Sequence, residues 1–235
     1  MPGTDSEILN PLGDRLLSTT GRHGGNVSSQ RVDELDLLSL EFAKKQVKAS
    51  GTSLVIDIGG GDAAQSKRFA ELGADVLLVD LTDQSENIAS FNRKMGKLAI
   101  RFYQADATKF EFEKDIRNVN VLYSQRMLGC IKYNEALELL QSLFEITVPT
   151  GRCFLSTGGL NTEVGLDYPH RDLPVSQRWA PPGRAMGEKH EIFAPQCLYL
   201  ESEFVDLVRS IGFVVLKSWT SLFGNPKLVA RKGEM

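Results

Sequence analysis

The sequence predicts an α/β fold in which a mainly parallel sheet carries helices on both faces. Three observations point there. Apolar runs of strand length alternate with amphipathic helical segments from residue 54 to residue 156; the first run ends in the turn Gly59-Gly60-Gly61; and the chain closes on two strands with no helix between them. Strands separated by helices return in parallel, because only adjacent antiparallel strands can be joined by a tight hairpin.

Taken in order, residues 1–31 hold Pro2, Pro11 and five glycines among polar residues, a composition expected of a flexible arm ahead of one domain, 32–235. Over 32–48, Leu35, Leu38 and Phe42 share one helical face, Lys44, Lys45 and Lys48 favour the negative end, and Ser50-Gly51 stops the helix. Strands are expected at 54–58, 75–80, 99–104 and 119–123, with helices at 63–72 and 85–94. A helix over 135–147 buries Ala136, Leu140, Leu143 and Phe144, with Asn134 as its N-cap; Pro149 and Gly151 end it and lead into a strand at 152–156. After Gly158-Gly159 the alternation stops for about forty residues, longer than an ordinary loop. This segment, 158–198, is expected to be a lid. Phe204, Leu207, Val208 and Ile211 then mark a helix at 201–211 that ends at Gly212, and strands 213–220 and 227–231 form a hairpin around Gly224-Asn225-Pro226.

With 235 residues, 42% of them hydrophobic, the chain can bury one sizeable core. A net charge of −3 leaves no electrostatic footprint for a phosphate backbone, so a nucleic-acid partner is not expected. The longest apolar runs fall far short of the roughly 20 residues that span a bilayer. A soluble cytoplasmic protein, monomer or homodimer, is the expectation. Cys130, Cys153 and Cys197 are odd in number and widely spaced, which supports neither a disulfide framework nor a zinc site. Glu188, His190 and Glu191 lie too close in sequence for a shared metal site, and no metal is expected.

The glycine turn alone does not select a ligand, because Gly59-x-Gly61-x-x-Ala64 also fits a dinucleotide fingerprint. Charge separates the two. Asp57 and Asp62 would repel a pyrophosphate, whereas S-adenosylmethionine brings an ammonium and a sulfonium. The segment resembles the first motif of class I S-adenosylmethionine-dependent methyltransferases, Asp/Glu-x-Gly-x-Gly-x-Ala/Gly, at Asp57, Gly59, Gly61 and Ala63. The terminal hairpin resembles the reversed last strand of that family. The resemblance implies a Rossmann-like three-layer sandwich, sheet order 3-2-1-4-5-7-6, with S-adenosylmethionine as cofactor and S-adenosylhomocysteine as product. It also implies roles for individual residues. Asp57 would lie near the methionine amine, and Gly59, Gly60 and Gly61 would put backbone against the ligand. Asp80, with Leu81 beside it, would accept the ribose hydroxyls, while Asp106 would accept from the adenine amine and the Ala107 N–H would donate to the ring. Gln125 would line the methionine end.

The Asn/Asp-Pro-Pro-aromatic segment of amino-methylating nucleic-acid enzymes of this fold is absent; Ser124-Gln125-Arg126 stands there instead. Arg126 is a candidate to orient an acidic group of the substrate. Tyr168, Trp179 and Phe193 either wall a substrate cavity or pack the insertion onto the sheet. His190, flanked by carboxylates, is the candidate general base, with His170 and His23 behind it. The expected activity is methyl transfer to an O, N or C atom of a small molecule. Rival readings are a protein or RNA methyltransferase, an NAD(P)-dependent oxidoreductase and a non-catalytic cofactor-binding module.

Overall fold

A computed structural model describes residues 32–112 and 116–233, so the arm expected at 1–31 lies outside the described residues. Seven strands form one sheet in the order β3-β2-β1-β4-β5-β7-β6, the order implied above. They are β1 (Leu54–Ile58), β2 (Asp75–Asp80), β3 (Ile100–Gln104), β4 (Val119–Gln125), β5 (Thr147–Ser156), β6 (Phe213–Thr220) and β7 (Pro226–Lys232). All neighbours pair in parallel except β7, which runs antiparallel to both β5 and β6. Strand parity divides the core into two layers. Ile56, Ile58, Leu77, Val79 and Leu122 face α4 (Tyr133–Ile146) and α6 (Glu201–Ser210). Val55, Val76, Leu78, Val121 and Tyr123 face α1 (Glu34–Ser50), α2 (Ala64–Glu71) and α3 (Ser85–Met95). Among the described residues, no helix is long and apolar enough to cross a membrane.

Two local expectations need correction. Asn134 lies inside α4 rather than capping it; the helix begins after Lys132, whose N–H donates to the Glu135 carboxylate at 2.8 Å. Glu135 is thus the carboxylate that the capping geometry uses. Pro149 and Gly151 likewise lie within β5, which starts directly at Thr147, and the β4–β5 register slips between Val119 and Val121. A proline is tolerated at such an irregularity because no ladder hydrogen bond is required of it. A Cβ at Gly151 would come within 2.6 Å of Thr147 and 2.9 Å of the Val119 carbonyl, so the bulge needs the glycine.

The insertion has more order than its sequence suggests. It holds 3-10 turns at Glu163–Gly165 and Val175–Gln177, helix α5 (Arg184–His190) and a small core of Leu160, Tyr168, Ala180 and Leu198. Arg178, only 6% exposed, joins it to α6 by two bonds to Glu203 at 2.5 and 2.9 Å, and also donates to the Leu173 and Leu198 carbonyls. Backbone bonds from Cys197 to Gly129 and from Tyr199 to Gly158 fasten its end to the sheet.

Candidate functional site

In a sheet of this kind ligands bind beyond the carboxyl ends of the strands, where the strand order reverses. Here that place is the junction of β1 with β2 and β4. The Gly59 N–H donates to the Val79 carbonyl at 2.9 Å, and the chain then turns through positive φ at Gly59 (70°) and Gly61 (57°). Glycine reaches this region without steric cost. A side chain at Gly59 would also collide with Met127, 2.5 Å from the Cβ position, so the turn lies close against the segment after β4. Ala63 closes the turn in the same left-handed region, φ 65°, without the freedom of glycine.

Asp57 stands opposite Leu78 and Tyr123 and faces the layer of α1 and α2, fully buried. The Ser66 hydroxyl donates to its Oδ2 at 2.6 Å, while Oδ1 is buried with no hydrogen-bond partner among the described residues. Burial, with Asp80, Asp36 and Asp62 nearby, pushes the carboxyl up to about 7 against the downward pull of the Ser66 bond. An orphaned carboxylate oxygen beneath a glycine turn is an open acceptor for a cation.

Asp80 holds the turn in place. Its Oδ2 accepts from the Gly61 N–H at 2.9 Å and its Oδ1 from the Thr82 N–H at 2.7 Å. A carboxylate offers about four lone-pair directions, so each oxygen keeps one for a diol. Leu81 beside it is 49% exposed, an apolar surface at the same edge. Asp106, past β3, accepts from the Thr108 N–H at 3.0 Å and the Thr108 hydroxyl at 2.7 Å, with Lys109 3.4 Å away. Burial raises this carboxyl, but the Thr108 bonds and Lys109 outweigh it and hold the group below its ordinary value. Asp106 therefore caps its own turn whatever else it binds. Ala107 is half-buried against the main core.

The sequence reading missed an acidic pair at the start of α1. Asp33 caps the helix by accepting from the Leu35 N–H, and Asp36 answers by accepting from the Asp33 N–H, both at 2.8 Å. The pattern Asp33-x-x-Asp36 ahead of an apolar stripe was the available signal. What the pair does is tertiary. Tyr123 donates its hydroxyl to Asp36, Lys227 pairs with Asp33, and Gln125 donates to Asp33 at 2.8 Å and to Asp36 at 3.4 Å. Gln125, Ser156 and Lys227 are register neighbours across β4, β5 and β7, so the first turn of α1 is fastened along this sheet edge. Burial raises Asp36, which the Tyr123 bond partly opposes. The Gln125 amide therefore orients α1, in addition to any contact with a ligand.

The insertion residues take other places. Tyr168 is buried; its hydroxyl donates to the Gln196 carbonyl at 2.6 Å and accepts from the Ala180 N–H at 3.2 Å, so the group is satisfied within the insertion. Trp179 is half-buried against the main core, and its backbone N–H donates to His170 Nδ1 at 3.2 Å. Phe193 is half-exposed. His190 Nε2 lies 3.1 Å from Glu163, whose other oxygen pairs with Lys189. The carboxylate that His190 meets is thus distant in sequence, while Glu188 pairs with Arg184 at 2.8 Å.

The positive-φ glycine turn, the orphaned Asp57 oxygen and the free lone pairs of Asp80 fit a ligand that brings a cation and a diol. Known proteins agree with this. Residues 55–151 match a family described as Methyltransferase domain. The ubiquinone biosynthesis O-methyltransferase of Leptothrix cholodnii is 24% identical over 149 residues, 60% of this chain and 62% of that protein, so the match spans less than two thirds of the relative. The Burkholderia thailandensis 1,6-didemethyltoxoflavin-N1-methyltransferase, solved with 1,6-didemethyltoxoflavin and S-adenosylhomocysteine, superposes with a TM-score of 0.61 at 16% identity, covering 88% of this chain and 82% of that one. An S-adenosylmethionine-dependent methyltransferase from Clostridium acetobutylicum gives 0.62 at 11% identity, covering 88% and 95%. At such identities the likeness in structure speaks for the fold. The matched domain, the sheet order and the acidic glycine turn agree: residues 55–151 carry a methyltransferase domain, on the fold shared with these S-adenosylmethionine-dependent methyltransferases.

Proposed function

We propose that the chain methylates an O, N or C atom of a small-molecule acceptor, with Asp57 facing the methionine ammonium, Asp80 the ribose and Asp106 the adenine amine. Gly59, Gly60 and Gly61 lay backbone along the cofactor, Leu81 covers the adenosine and the Ala107 N–H reaches the base. The observation that carries this reading is the set of three carboxylates at the ends of β1, β2 and β3 around one glycine turn, with an Asp57 oxygen left without a donor. When bound, S-adenosylmethionine supplies an electrophilic methyl group on a sulfonium. The chain's own part is to hold the nucleophile in line with that methyl and to keep water away. Gln125, Tyr123 and Lys227 serve this by fixing α1 over the edge.

A small acceptor, not a nucleic acid, suits the net charge of −3, and three free cysteines suit a reducing cytoplasm. We read the protein as acting as a monomer or homodimer. Calorimetric titration tests the site. S-adenosylmethionine and S-adenosylhomocysteine should bind and NAD should not, and homocysteine product should form with a small acceptor. NAD binding alone would overturn the cofactor assignment, and steeply salt-dependent RNA binding would favour a nucleic-acid substrate.

A further inference from the structure

Arg126 follows the end of β4 with φ 65°, a conformation that costs an ordinary residue about 1 kcal/mol or more. The fold imposes it. The Arg126 N–H is held by the Ser156 carbonyl at 3.1 Å and the Ser156 hydroxyl at 3.0 Å, and the next residue, Met127, packs against Gly59 of the cofactor turn. The residue is half-buried, and burial lowers the guanidinium from its ordinary value, opposed by Cys130, Asp33, Tyr123 and Asp36 nearby. Among the described residues, its side chain forms no hydrogen bond or ion pair.

The two carboxylates that lie nearby are engaged with other donors. Asp33 serves Leu35, Gln125 and Lys227; Asp36 serves Asp33, Tyr123 and Gln125. Lys227 pairs with Asp33, one of the two acids. A guanidinium taken from water without an acceptor is costly, and its planar fork matches a carboxylate in two parallel bonds. We propose that Arg126 is the anchor for a carboxylate brought by a ligand, either an acidic acceptor or the methionine carboxylate of the cofactor. The proposal rests on the cofactor site assigned above.

Calorimetry on the full chain separates the sources. Wild type and Arg126→Gln are titrated with S-adenosylhomocysteine and with 5′-methylthioadenosine, which lacks the amino-acid carboxylate. The S-adenosylhomocysteine complexes are then titrated with benzoate, 4-hydroxybenzoate and the matching amides, and unchanged melting midpoints without ligand establish that the variant is folded. A tenfold or greater loss of S-adenosylhomocysteine affinity, with 5′-methylthioadenosine within twofold, assigns Arg126 to the cofactor carboxylate. Unchanged S-adenosylhomocysteine affinity with selective loss of acid binding assigns it to the acceptor, and Arg126→Lys should restore only part of either effect. The proposal is overturned if Arg126→Gln alters neither, or if acids and amides behave alike on a variant whose S-adenosylhomocysteine affinity is intact. Failure of wild type to bind S-adenosylhomocysteine would instead remove the cofactor reading itself, and this proposal with it.

Discussion

The cofactor edge and the insertion use polar residues in opposite ways. At the edge, Asp57 keeps a buried oxygen without a donor among the described residues, Ala63 and Arg126 adopt positive φ, and Asp80 retains free lone pairs. In the insertion, Tyr168 and Thr162 bond to nearby backbone, Arg171 holds the Leu160 and Gly165 carbonyls, and Arg178 satisfies two carbonyls and Glu203. Buried polar groups are normally paired; among the described residues the Ser53, Thr157 and Tyr199 hydroxyls also lack a partner, but Asp57 is the one carboxylate that does. The contrast supports the proposal that the edge faces the ligand while the insertion's buried polar groups serve as its scaffold.

The largest effect is expected for Arg178→Ala. If the insertion is scaffold, losing the guanidinium leaves Glu203 and two carbonyls without a buried donor and destabilises by about 3–5 kcal/mol in urea denaturation. A loss below 1 kcal/mol would mean that the insertion does not depend on its own network. The counterpart at the edge is Asp57→Asn. With a folded value near 7 and an unfolded value near 4, native Asp57 holds a proton that the unfolded chain has released between those limits. Its contribution to stability therefore falls as pH rises from about 4 to about 7, on the order of a few kcal/mol. The variant should gain on wild type between pH 5 and pH 8, and parallel pH profiles would show that the acid is not strained.

Asp80→Ala should weaken S-adenosylhomocysteine binding by about 1–3 kcal/mol, measured by calorimetry. An unchanged affinity would leave Asp80 as an anchor of the Gly61 turn and nothing more. Ala63→Gly relieves left-handed backbone and should stabilise by up to about 1 kcal/mol; a loss of stability would place the strain elsewhere. The smallest effect is expected for His190→Ala, within about 0.5 kcal/mol because the residue meets Glu163 near the surface. A general base would reveal itself differently, by a 10²–10⁴-fold fall in turnover and a changed pH profile.

The alternating elements were legible because periodicity is a local property: the residues that make β2 an apolar run and α6 a stripe are contiguous in the chain. Asp57, Asp80 and Asp106 were legible for the same reason, each a fixed short step from a strand end. The roles of Asp33, Asp36 and Lys227 were not. Lys227 lies 194 residues from Asp33, and no local pattern announces a pair made by folding β7 beside β5 and laying α1 across the edge. The small core of the insertion was hidden too, since Leu160, Tyr168, Ala180 and Leu198 follow neither the strand nor the helix period.

By itself, then, the sequence determined the order of the layers, the antiparallel last strand and the acidic glycine turn, because apolar spacing and glycine conformations act over a few residues. Only the tertiary structure decided which polar groups are satisfied. That depends on partners brought together from distant segments, and it is what separates the Tyr168 hydroxyl, bonded on both sides, from the Asp57 oxygen, which has no donor among the described residues.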